Sequence, residues 1–131
     1  MANPNIVAVS TIYGGNMGWA LSNTLTATLL TVQADKLLKI NRIVCANVDG
    51  TNAADLNLYV DGMGTGTANG IAPTGASATT YLAKTISVPA DASLVISDTP
   101  IYLMENDVLK GGASATGDLE LFISYEVLDD A

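Results

Sequence analysis

From residue 118 to residue 128 the chain reads DLELFISYEVL, with apolar and polar residues alternating. Odd positions carry Leu119, Leu121, Ile123, Tyr125 and Val127, and even positions carry Asp118, Glu120, Phe122, Ser124 and Glu126. Side chains on a strand point alternately to opposite faces, so one face is apolar and the other mostly polar. This predicts a long strand in an antiparallel sheet, with core on one side and water on the other. A helix would scatter the same residues around its circumference.

Similar segments lie upstream. IVAVSTIY (residues 6–13) is β-branched, follows Pro4, and is predicted to end at Gly14, Gly15 and Gly18. TLTATLLTV (24–32) places Leu25, Ala27 and Leu29 on one face, and its threonines favour strand over helix. In LKINRIVCANV (38–48), Leu38, Ile40, Val44, Ala46 and Val48 are in phase, with Arg42 the exception. DGTNAAD (49–55) is dense in turn residues. LNLYV (56–60) alternates cleanly after it, so these two strands are predicted to form a hairpin. Residues 81–88 form the next strand, with Leu82, Ile86 and Val88 in phase. SLVIS (93–97), PIYL (100–103) and VLK (108–110) are short strands, with a MEND turn (104–107) before the last of them. GGASATG (111–117) is predicted to be the turn into the final strand.

No stretch shows a helical period. About eight short strands separated by polar turns predict an all-β fold, a single antiparallel β-sandwich with a jelly roll as the expected variant. The expected core contains Leu119, Leu121, Ile123, Tyr125, Leu56, Leu58, Val44 and Ile86. The expected division is an N-terminal arm or first strand over 1–18, then the sandwich over 19–131. Between residues 62 and 80 the composition changes to Gly, Ala, Thr and Ser, with five glycines and no charge. So long a connection is expected to be either a solvated loop or a contact loop.

At 131 residues the chain fits one domain with a proper core. Only 14% of residues are charged, against roughly 25% in an average soluble domain. The formal charge is −8, and the five Lys and Arg residues form no run. Nucleic-acid binding depends on cationic side chains displacing counterions, so no nucleic-acid partner is expected. Cys45 is the sole cysteine, so no intramolecular disulfide can form, and its apolar setting predicts a buried, inert thiol. Residues 1–5 lack the basic and apolar regions of a secretory leader, and no run approaches the roughly 20 apolar residues that span a bilayer. No membrane partner is expected.

Candidate chemistry is sparse. The chain has no histidine, which removes the usual general base and both the Ser-His-Asp and Cys-His arrangements. Glu105 with Asp107 and Asp129 with Asp130 are carboxylate pairs of a turn and a tail, so no catalytic residue is assigned. Asp49, Asn52 and Asp55 supply hard oxygens, but their spacing departs from the EF-hand loop and lacks its closing Glu, so no metal site is assigned. No cofactor-binding motif occurs. Trp19, Tyr59, Tyr81 and Tyr102 are candidates for a sugar-stacking platform, with core or interface roles expected instead. The segment before residue 19 carries no charge, and its β-branched residues suit strand addition to a neighbour. Ile6, Val7, Val9, Ile12, Tyr13 and Trp19 are therefore the candidate interface residues, with an ordinary first strand as the alternative.

The stretch 85–128 resembles a C-terminal module of small virion proteins of tailed phages, notably marine and cyanobacterial ones. The resemblance rests on Pro89, Ala92-Ser93-Leu94, and Ile101-Tyr102-Leu103 with Glu105 and Asp107. It continues through Ala113-Ser114-Ala115 and Ser124-Tyr125-Glu126. Residues 39–60 and the opening MANPNIVAVSTIYG are also similar. Asn106 stands where that module commonly has a turn glycine. The resemblance implies a non-enzymatic virion protein, expected to be a capsid decoration or cement protein that binds the major capsid protein and its own copies. A trimer is the expectation by analogy with other decoration proteins. A tail- or fibre-associated receptor- or glycan-binding module is the alternative.

Overall fold

The computed structural model of the chain describes residues 7–62 and 70–129. Within them nine strands follow one another: β1 (Thr11–Ala20), β2 (Thr28–Thr31), β3 (Lys36–Asn47), β4 (Ala54–Asp61), β5 (Thr79–Val88), β6 (Ser93–Ser97), β7 (Ile101–Leu103), β8 (Val108–Ala113) and β9 (Leu119–Asp129). All pairings are antiparallel, in two sheets. The first sheet has the order β1-β9-β3-β6, with β7 beside β3 beyond β6; the second has the order β2-β8-β4-β5. The two pack face to face as the expected β-sandwich. The nine segments read from sequence, counted there as about eight strands, each contain a strand, with β6 and β7 sharing one lane along β3.

The core follows from strand alternation. Leu119, Leu121 and Ile123 project from β9 and are buried. They meet Ile40, Ile43 and Cys45 of the same sheet, and Leu56, Leu58, Val60 and Leu109 of the other. Burying each large aliphatic side chain contributes roughly 1.5–3 kcal/mol, so this cluster outweighs any single polar contact. Tyr125 and Val127 continue the row half-buried, packed against the cluster.

Several expectations are corrected, and glycine accounts for two of them. The first strand is Thr11–Ala20 rather than 6–13, and it runs through Gly14, Gly15 and Gly18 instead of ending there. A Cβ on Gly15 would lie 2.9 Å from the Tyr125 ring, so glycine here admits a neighbour rather than breaking the strand. Likewise Gly111 and Gly112 belong to β8, not to a turn. A Cβ on Gly111 would collide with the Asn57 carbonyl, and one on Gly112 would lie 2.5 Å from the Thr24 oxygen.

The strand predicted over 24–32 shortens to Thr28–Thr31. The preceding residues follow β8 irregularly: Gly111 N–H donates to the Ala27 carbonyl at 3.0 Å, and Ala113 N–H to that of Ser22 at 2.9 Å. In β3 the phase slips. Ile40 pairs with Tyr125 but Arg42 with Ser124, leaving Asn41 as an extra residue. Beyond that bulge Ile43, Cys45 and Asn47 turn inward, and Val44, expected in the core, faces outward. Ile86 lies opposite buried Leu56, yet β5 is an edge strand and leaves it 40% exposed.

The strands before and after DGTNAAD do not form a hairpin. β3 lies in one sheet and β4 in the other, so the turn carries the chain across the sandwich. The hairpin is β4–β5. Its loop is closed by the Gly62 N–H donating to the Ala78 carbonyl at 2.7 Å. Residues 63–69 of the predicted 62–80 loop lie outside the described residues. At the β7–β8 turn Asn106 adopts φ 69°, the left-handed conformation for which a glycine would be usual.

Candidate interaction surface

The even residues of β9 look away from the core because the odd ones fill it. Register then assigns their neighbours. Phe122 lies between Gly18 of β1 and Val44 of β3, and Val44 in turn pairs with Val95 of β6. These residues form an apolar band across the full width of the first sheet's outer face. Phe122 is 46% exposed and Val95 44%. Gly18 contributes no side chain, and the next row, Ala20 and Ala46 flanking Glu120, adds little height. A shallow depression of about 360 Å³ results, lined by the apolar Trp19, Val44, Leu121 and Phe122, the small residues between them, and the Glu120 carboxylate.

Beyond the band the face turns polar. Arg42 pairs with Ser124. Glu126 accepts from Asn41 Nδ2 at 3.2 Å and lies 3.7 Å from Lys39 Nζ. At the far end the outer row is apolar again, Ile12 beside Leu128 beside Leu37, with both leucines buried. An exposed apolar band beside polar rows makes this face the candidate interaction surface.

The six candidate interface residues do not form one surface. Ile6 lies outside the described residues. Val7 is 91% exposed, ahead of β1, and Val9 is half-buried. Ile12 and Tyr13, 54% and 55% exposed, sit on opposite faces of β1. Trp19 pairs with Leu121 on the core side and packs half-buried against the cluster. Of the four aromatics named for stacking, only Tyr59 and Tyr81 come together, with ring centroids 4.9 Å apart, and Tyr59 is buried. Phe122, Val44 and Val95 were not predicted as surface. The available signal was Phe122, an apolar side chain amid the polar face of the 118–128 alternation.

The oxygens around residues 49–55 serve the turn. Asp49 accepts from Thr51 N–H at 2.8 Å and from Asn52 Nδ2 at 3.4 Å. The Thr51 N–H is the main cause holding the Asp49 carboxyl below its ordinary range. Among the described residues no group of three His, Cys, Asp or Glu side chains is placed to hold a metal ion. Cys45 is fully buried, and burial pushes its thiol up to about 11, which keeps it protonated and inert at neutral pH. A second recess, of about 240 Å³, opens between the edges of the two sheets and is lined by Met17, Leu30, Leu38, Tyr125 and Val127.

No protein family, curated protein or solved structure matches the chain.

Proposed function

We propose that the chain is a non-enzymatic structural protein of a virus particle, a capsid decoration or cement protein that docks on the major capsid protein where its subunits meet. The observation that carries this reading is the exposed band of Phe122, Val44 and Val95 across the outer face of the first sheet. A contiguous apolar patch on a small domain is a common mark of an interaction site. The resemblance of residues 85–128 to virion proteins supplies the partner class. The connectivity also supports reading the sandwich as a jelly roll. With β6 and β7 taken as one strand, eight strands form two four-stranded sheets, and the chain changes sheet at every connection except β4–β5.

Quantitative mass spectrometry of purified particles, separated into heads and tails, tests the assignment. The proposal predicts the chain in the head fraction at a fixed ratio to the major capsid protein. Recovery with tails or fibres alone would move it to the receptor- or glycan-binding class, and absence from both would end the virion reading.

A further inference from the structure

The four edges of the two sheets are not alike. β2 is four residues long and broken by a register shift, and β5 carries two shifts. The edge formed by β6 and β7 is split into two short strands with Pro100 between them. Short strands, bulges and proline are the usual devices that stop a sheet edge from recruiting another strand. β1 has none of them. It runs for ten residues, pairs with β9 without a shift, and holds no charge and no proline.

We propose that β1 is a self-association edge, at which two copies of this chain pair antiparallel about a two-fold axis through Asn16 and merge their first sheets into one. The ladder with β9 uses the odd residues of β1, continued by Leu21 N–H donating to the Leu119 carbonyl at 2.9 Å. In an antiparallel strand both backbone groups of a residue point to the same side. The N–H and C=O of Gly14, Asn16 and Gly18 therefore point outward. Pairing about Asn16 sets Gly14 against Gly18 of the second copy and brings these outward groups into hydrogen-bonding register.

The side chains agree with that register. On the core side Tyr13 meets Trp19 of the second copy, an aromatic cross-strand pair, and Met17 meets Gly15, over which the Tyr125 ring extends as its apolar neighbour. Tyr13 and Met17 are 55% and 39% exposed in the single chain. Net charge opposes self-association over the whole surface, and least at this edge. Each copy carries −8, while β1 itself is uncharged. Such a pair is closed and isologous. It replaces, for the free protein, the trimer expected by analogy, and it does not depend on the virion assignment.

Sedimentation equilibrium of the full chain, joined to hydrogen exchange, tests the inference. The expected mass is twice the 13.4 kDa of one chain, with association strengthened by salt as repulsion is screened. In the dimer the amides of Gly14, Asn16 and Gly18 are protected, and on dilution they lose protection while those of Gly15 and Met17 keep it. Asn16→Asp sets two carboxylates against each other at the axis, and Asn16→Pro removes an outward N–H that the β9 ladder does not use. Each should weaken dimerisation at least ~10-fold; if Asn16→Pro does not fold, Asn16→Asp decides. A monomer at every concentration, a trimer with unprotected even amides, or a dimer indifferent to Asn16→Asp would overturn the inference.

Discussion

The two sheets share one core but treat their outer faces differently. On the second sheet, the outward residues of β4 are covered by the chain's own side chains. Tyr59 is buried beneath Tyr81, and Lys84 Nζ lies 4.9 Å from the centre of the Tyr81 ring. Asn57 accepts from Thr85 N–H at 3.1 Å, and Lys110 reaches Asp61 at 2.9 Å. Hydrogen bonds from Thr79 and then Lys110 hold the Asp61 carboxyl below its ordinary range. On the first sheet the corresponding central row, Phe122 with Val44 and Val95, has no such cover. An outward aromatic on one sheet is thus part of the fold, and on the other it stands half-exposed.

The largest effect that sharpens this contrast comes from the closed sheet. Gly111→Ala drives a methyl into the Asn57 carbonyl, which belongs to a central strand and cannot move aside. The loss should exceed about 4 kcal/mol, at the extreme of single substitutions, and show as failure to fold or a collapse of Tm. Ile123→Ala, which opens the shared core, should cost about 2–5 kcal/mol in denaturant titration.

The outward aromatics make the comparison itself. Tyr59→Ala should cost about 3 kcal/mol although it lies on an outer face, because it is buried there. Phe122→Ala, on the other outer face, should change stability by less than about 1 kcal/mol. Equal losses in chemical denaturation would erase the distinction between the sheets.

How much of this was legible in the residues differs from strand to strand. The alternation of 118–128 identified β9 and its core face because a central strand with one wet face keeps a strict period of two. Sequence does not distinguish a glycine that turns the chain from one that admits a close neighbour. Gly15 and Gly111 were therefore read as breakers, when a Tyr125 ring and a carbonyl of β4 explain them. The slip at Asn41 reversed the inward set of β3, since one extra residue flips every side chain after it. That slip hid Val44 from the surface. Phe122 was visible as an outlier, but its alignment with Val44 and Val95 depends on register between strands distant in sequence. The β3–β4 crossing was equally hidden, because a turn rich in Asp, Asn and Gly looks the same within a sheet and between sheets.

A smaller effect lies in the β7–β8 turn, which hands the chain from the open sheet to the closed one. Asp107 is buried there, and its carboxylate accepts from Met104 N–H at 2.9 Å. Burial raises the Asp107 carboxyl above its ordinary value of 3.8, against the lowering effect of that N–H. A carboxyl raised on folding stabilises the fold when protonated, and that contribution is lost as pH climbs through the raised value. The charge therefore costs stability at neutral pH. Asp107→Asn keeps the acceptor without the charge, so it should raise stability at pH 7 by on the order of 1 kcal/mol. The gain should fade as pH drops through the raised value and be gone below the ordinary 3.8, where the carboxyl is protonated in folded and unfolded chain alike. A gain that persisted in acid would assign it to packing instead.

The central claim is that the open face of the first sheet is the docking face. Phe122→Asp addresses it most directly, through binding of the variant to virus heads stripped of the native protein. With Phe122 already 46% exposed, the variant should fold with nearly unchanged Tm. Its affinity for stripped heads should fall at least ~10-fold, because the charge must be desolvated against an apolar contact. A folded Phe122→Asp protein that saturates stripped heads as the native chain does would contradict the account.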